Sequence, residues 1–208
     1  MIPGQQIQQP VKKESKASTI MLIILISVVL AGLGIICYVT GCKHAQKIAV
    51  DFTIEKFAED TREPKYKMLQ KELSNYICDL SDELEIDSDL VVAILMRENP
   101  EFNSEATHRN ENGTIDVGMF QLNDYYLWTE FKKRYWFDNL ELNPFNWKHN
   151  TYIALHHIKY LQDKFKIQDE IIMAYNGGEG AVMNGTVKPS TINYLANVKN
   201  NLFLLKGE

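Results

Sequence analysis

Between Lys16 and Lys43 the chain carries no charged residue. Residues 19–41 form an almost unbroken apolar run inside that interval. As a helix, such a run is long enough to cross a hydrocarbon core of about 30 Å. It offers no polar face, so it does not suit a helix packed on one side of a globular core. Lys12, Lys13 and Lys16 stand before it. Their charge favours an N-terminus inside, which places residues 43–208 outside the cytoplasm. The organisation expected is therefore a cytoplasmic tail over 1–18, a transmembrane or signal-anchor helix over 19–41, a juxtamembrane stalk over 42–64 and a folded domain over 65–208.

The end of the apolar run allows a second reading. Val39-Thr40-Gly41-Cys42 resembles the bacterial lipobox, in which the cysteine is lipidated after the signal peptide is cut. The polar tail before the run and its full spanning length suit an uncleaved anchor instead. Both readings attach the domain to the outer face of a membrane.

Composition narrows the domain's chemistry. The net charge is −5, so no broad basic surface is implied and nucleic acid is not expected as a partner. Of three cysteines only Cys78 falls in the expected domain, which therefore closes no internal disulfide. The five histidines make no metal-binding spacing, and His156 and His157 point about 100° apart on one helix. No metal and no organic cofactor is expected.

Helical periodicity runs through the domain. Tyr66, Leu69, Leu73, Tyr76, Ile77 and Leu80 recur at threes and fours, predicting an amphipathic helix over 65–84. A second helix is expected over 87–98, capped by Asp87 or Ser88. A polar stretch follows, with Asn112-Gly113 as a turn signal and at most one short hairpin. Further helices are expected at 124–134, 147–164 and 169–175, the last stopped by Gly177-Gly178. Residues 181–188 read as loop, and Pro189 or Ser190 opens a final helix through Leu205.

Within this frame Glu98 stands out. It lies four residues after Ile94, three after Leu95 and seven after Val91, on the apolar stripe of its helix. A buried carboxylate is costly, and the negative end of the helix opposes its charge. Both effects raise its pKa toward the range a general acid needs for breaking a glycosidic bond. A glutamate at such a position is more often solvated or paired, here with Arg97.

Three strings stand in order: Arg97-Glu98, then Gly118-Met119-Phe120-Gln121, then Ala174-Tyr175-Asn176-Gly177-Gly178. Together they resemble the soluble lytic transglycosylase family, relatives of goose-type lysozyme with a lysozyme-like α-fold, over roughly residues 84–200. The resemblance implies a mainly α domain that cleaves the β-1,4 bond between N-acetylmuramic acid and N-acetylglucosamine in peptidoglycan. It assigns catalysis to Glu98 and sugar binding to Gly118, Met119, Phe120, Gln121, Tyr175 and Asn176, with Tyr194 completing the site. It also implies one glutamate acting first as acid and then as base on the muramoyl C6 hydroxyl, aided by the substrate's N-acetyl group. The product is a 1,6-anhydro end formed without water.

The chain departs from the family pattern in places. Asn99 stands where serine is usual, and Met119-Phe120 stands where Leu-Met is usual. The second exchange is a volume-tolerant apolar swap. From Glu98 to Gln121 there are 23 positions, more than in many members. The insertion Arg109-Asn110-Glu111-Asn112-Gly113 resembles the branch associated with envelope-spanning machines, which implies secretion machinery as a further partner. Asp116 is the one candidate second carboxylate, for a hydrolase; the plainer reading is a loop acid making turn bonds. Tyr125, Tyr126, Trp128, Tyr135, Trp136 and Trp147 offer a sugar-stacking wall, although helical spacing makes most of them core. A catalytically silent glycan-binding scaffold is the rival from another class.

Overall fold

The computed structural model describes residues 63–130, 133 and 142–207. The tail, the expected membrane segment 19–41, Cys42 and most of the stalk lie outside the described residues, as do Tyr135 and Trp136. Among the described residues no helix is long and apolar enough to cross a membrane. The described part is mainly helical, with a small three-stranded sheet, and belongs to one unit, Lys47–Glu208.

Helix α1 spans Lys71–Leu84. The sequence predicts it from 65, but residues 65–70 form turns instead. The Tyr66 amide donates to Ser74 Oγ at 3.1 Å, and the helical ladder starts where Ser74 N–H reaches Gln70 O at 2.9 Å. Tyr66 and Leu69 are still buried, inserted from a turn rather than from a helical face. The helix stops at Glu85, in the left-handed conformation at φ 54°, and Ile86 N–H closes on Ser81 O.

Helix α2 (Ser88–Glu98) follows, capped by the Asp87 side chain, which accepts from Asp89 N–H at 2.9 Å. Leu90 through Leu95 are all buried, so α2 is apolar on every side along its middle. It packs against α1 on one flank and most extensively against the last helix. Its end is set by Asn99, which leaves helical geometry before Pro100.

The polar segment after α2 holds strands β1 (Thr107–Arg109) and β2 (Ile115–Val117), paired antiparallel with Arg109 opposite Ile115. Gly113, at φ 87°, lies in the turn between them. A third strand, β3 (Leu122–Asn123), pairs Asp116 with Asn123. Two residues are too few to show a period of two, which explains why no sheet was legible beyond the hairpin. The helix expected at 124–134 is, over Asp124–Thr129, a π-helix. Asn123 Oδ1 caps it by accepting from the amides of Tyr125 and Tyr126.

Helix α3 (Trp147–Lys164) is capped by Asn146 and α4 spans Gln168–Gly177, close to expectation. The expected loop 181–188 is corrected in its first part: α5 runs Glu179–Met183, directly after Gly178 at φ 81°. Gly178 redirects the chain without ending helical propensity, so a second short helix starts at once. Helix α6 (Pro189–Lys206) has proline in its first turn and closes the domain on α2 and α4.

Candidate active site

Glu98 ends α2 half-buried, and Tyr194 reaches it from α6. The Tyr194 hydroxyl donates to Glu98 Oε1 at 2.6 Å, a charge-assisted length when the carboxylate is ionised. The Arg97 guanidinium lies 5.4 Å from the centre of the Tyr194 ring. Burial raises the Glu98 pKa to about 7, against the pull of Tyr194 and Arg97, and the charge of Asp116 adds to the rise. The acid is therefore shared between protonated and ionised forms at neutral pH.

The end of α4 brings two further groups to the same place. Tyr175 of α4 is buried, and its hydroxyl donates to the Phe120 carbonyl at 2.9 Å. Burial and the nearby charges of Glu98 and Asp116 hold its phenol well above its usual pKa, so it stays a hydrogen-bond donor. Asn176 Oδ1 accepts from Thr191 Oγ1 at 2.9 Å, which ties α4 to α6. A methyl group on Gly177 would stand 3.0 Å from that same hydroxyl, so the close approach of the two helices favours glycine.

The string 118–121 is a tight turn whose parts face different ways. Gly118 has φ 74°, and a Cβ there would lie 2.3 Å from Asn150 Nδ2 and 2.4 Å from the Pro144 carbonyl. Met119 and Phe120 are buried in the core, Phe120 with no exposed surface. Gln121 alone of the four faces the open space in front of Glu98. Its side-chain amide donates to Gly118 O at 2.7 Å and to Ala106 O at 3.3 Å, and its backbone sits at φ 48°. The structure thus separates the sequence-derived site residues. Glu98, Gln121, Tyr175 and Asn176 line one cleft, Tyr194 stands behind Glu98, and Gly118, Met119 and Phe120 build the wall from behind.

That cleft measures about 1250 Å³. Asp116 lines it too, accepting from Asn123 Nδ2 at 2.8 Å beside their strand pairing. Asn99 is buried and does not face the cleft; its amide grips the loop, donating to Asn103 O at 2.6 Å and accepting from Asn103 N–H at 3.1 Å. Trp147 packs edge-on against Tyr76, at 5.5 Å between ring centres, and serves the core.

Two residues escaped the sequence reading. Asn150, fully buried on α3, accepts from Phe120 N–H at 2.8 Å and donates to Val117 O at 3.0 Å and Pro144 O at 3.1 Å. His157 lines the cleft, its ring 5.6 Å from that of Tyr175. Its signal was a polar ring four residues from Ile153 and from Leu161, on the buried stripe of α3. Among the described residues no cluster of three His, Cys, Asp or Glu side chains gathers to hold a metal ion.

A helical domain with one acid of near-neutral pKa, braced by a tyrosine and open to a wide cleft of about 1250 Å³, has the parts for acid–base cleavage of a polymer bond. The family model for the transglycosylase SLT domain matches residues 75–194, more than half of the chain, and the chain belongs to that family. A search of curated proteins found no match. Family membership points to lytic transglycosylase-type cleavage of glycosidic bonds, with peptidoglycan as the substrate.

Proposed function

We propose that the chain is a membrane-attached murein lytic transglycosylase that cuts the MurNAc–GlcNAc β-1,4 bond with Glu98 as its single catalytic carboxyl group. The observation that carries this reading is the Glu98–Tyr194 pair at the cleft, with the acid's pKa pushed up to about 7. Protonated Glu98 donates to the departing oxygen, and an oxocarbenium-like sugar develops. The carboxylate left behind is stabilised by the Tyr194 hydroxyl and by Arg97. It then takes the proton of the muramoyl C6 hydroxyl, whose oxygen closes on C1. Gln121, Tyr175 and Asn176 bind and orient the strand, and residues 19–41 anchor the enzyme with its domain outside the cytoplasm. The insertion at 109–113 would meet a secretion machine.

Asp116 supports a second reading. It lines the same cleft and its charge is felt at Glu98, as a carboxylate activating water would require. The deciding experiment is mass spectrometry of muropeptides released from purified sacculi by the full-length protein and by its Glu98→Gln and Asp116→Asn variants. Anhydro-muropeptides from wild type and Asp116→Asn, with none from Glu98→Gln, are expected. Products one water heavier that vanish in Asp116→Asn would replace the transglycosylase by a hydrolase. Sacculi bound but uncut by all three proteins would favour the scaffold.

A further inference from the structure

The π-helix Asp124–Thr129 has no buried residue. Its sequence nevertheless places two large aromatic side chains side by side, Tyr125 and Tyr126, which are 54% and 61% exposed. Their rings meet edge to face with centres 5.0 Å apart, and both line the cleft that holds Glu98. Leaving two aromatic rings in water forgoes the burial that normally stabilises them. A π-turn is a rare, weakly bonded form of helix and recurs at functional sites.

The mount beneath the pair is firm. Asn123 Oδ1 takes both tyrosine amides, while Asn123 Nδ2 donates to Asp116 Oδ1 at 2.8 Å and to Thr114 Oγ1 at 2.9 Å. Asp124 Oδ1 accepts from Ile115 N–H at 3.0 Å, which ties the π-helix to the hairpin. Leu127 and Trp128, the next two residues, are partly buried against the core, and Leu127 also lines the cleft. The element is thus anchored through Leu127 and Trp128 and displays both tyrosine rings to the cleft.

We infer that Tyr125 and Tyr126 form a sugar-stacking subsite that holds the glycan strand away from the scissile bond. The inference rests on the function proposed above and extends the same cleft. The occupant follows from the cleft's chemistry. A pyranose ring has an apolar C–H face, which suits the electron-rich face of an aromatic ring, and a rim of hydroxyl and amide groups. The lining supplies both complements: the two tyrosine rings and, in the same cleft, the amide side chains of Asn110, Gln121 and Asn176. Among the described residues Asn110 Oδ1, Gln121 Oε1 and Asn176 Nδ2 make no hydrogen bond within the protein, and an apolar peptide would leave them unmatched. Because the rings touch the strand and not the reacting atoms, they act on binding more than on the chemical step.

The test uses full-length protein in detergent and peptide-free glycan strands as the probe, with Glu98→Gln as the non-cutting parent. Replacing both tyrosines by alanine in that parent is expected to weaken binding roughly tenfold or more, while replacing both by phenylalanine keeps it within about twofold. In the active protein the alanine pair is expected to raise KM for glycan and leave kcat within about threefold. Melting curves show whether the alanine pair folds; if it does not, tryptophan at both positions must keep binding at least equal to the parent. An alanine pair that folds and binds like the parent overturns the subsite while leaving the enzyme reading intact. A Glu98→Gln parent that binds no glycan, beside a wild type that releases no anhydro products, overturns the function and the subsite with it.

Discussion

At the scale of single residues, the chemistry of the site comes down to how Glu98 holds a proton. Burial raises its pKa from 4.5 to about 7, and the Tyr194 hydroxyl pulls the other way by favouring the charged form. Two expectations follow, with opposite readouts. The folded protein binds more protons at Glu98 than the unfolded chain between these two values, so this group costs stability as pH rises through the window. Glu98→Gln, whose amide oxygen can still accept from Tyr194, should stabilise the fold by roughly 1–3 kcal/mol at pH 8. That gain should shrink as pH falls through the window and be gone below pH 4.5, measured by denaturant unfolding. Tyr194→Phe removes the bond at 2.6 Å and should lower kcat/KM roughly tenfold to a hundredfold. It should also move the alkaline limb of the pH–rate profile upward, because the acid then keeps its proton to higher pH. A limb that stays put would mean that Tyr194 does not act through Glu98.

At the scale of elements, the turn 118–121 shows how a short string carries two separate constraints. Gly118 and Asn150 meet where the sheet, the 142–146 segment and α3 converge, and there is no room for a Cβ. Gly118→Ala combines a left-handed backbone with a clash against backbone and a buried amide. It should cost about 2–4 kcal/mol, seen as a lower denaturant midpoint. Asn150→Ala leaves the Phe120 amide and two carbonyls without their partner, and should cost a similar ~2–4 kcal/mol. Both losses should fall on stability first, because neither residue lines the cleft. Either variant melting like wild type would show that the turn can relax.

At the scale of the whole molecule, the proposed substrate is a polymer fixed in the envelope, so the proposed membrane attachment would decide which strands the cleft can reach. The two proposed modes of attachment would differ at one sulfur atom, that of Cys42. An uncleaved anchor retains residues 1–41, whereas a lipoprotein loses them and gains acyl chains on Cys42. Mass spectrometry of protein extracted from membranes is expected to find residues 1–41 retained and Cys42 without added lipid. A shortened, acylated mass would move the attachment to Cys42.

Periodicity and capping made most of the helices legible. Trp147–Lys164 and Ser88–Glu98 came through nearly residue for residue, because a buried stripe and a side-chain cap are local properties. The acid at the end of α2 was legible for the same reason, as a charge on an apolar stripe. What the sequence could not decide was which way the residues of a motif face. Met119 and Phe120 look like cleft residues in one dimension and are core in three, because the turn after Gly118 sends these two into the core and only Gln121 to the cleft. Tyr125 and Tyr126 belong to six aromatics that the sequence left divided between core and a sugar-stacking wall, and the π-turn displays these two. The fastening of Glu98 by Tyr194, 96 residues away, exists only because α2 and α6 pack together. Local chemistry is written in neighbouring residues, while direction and partnership depend on how distant elements are packed.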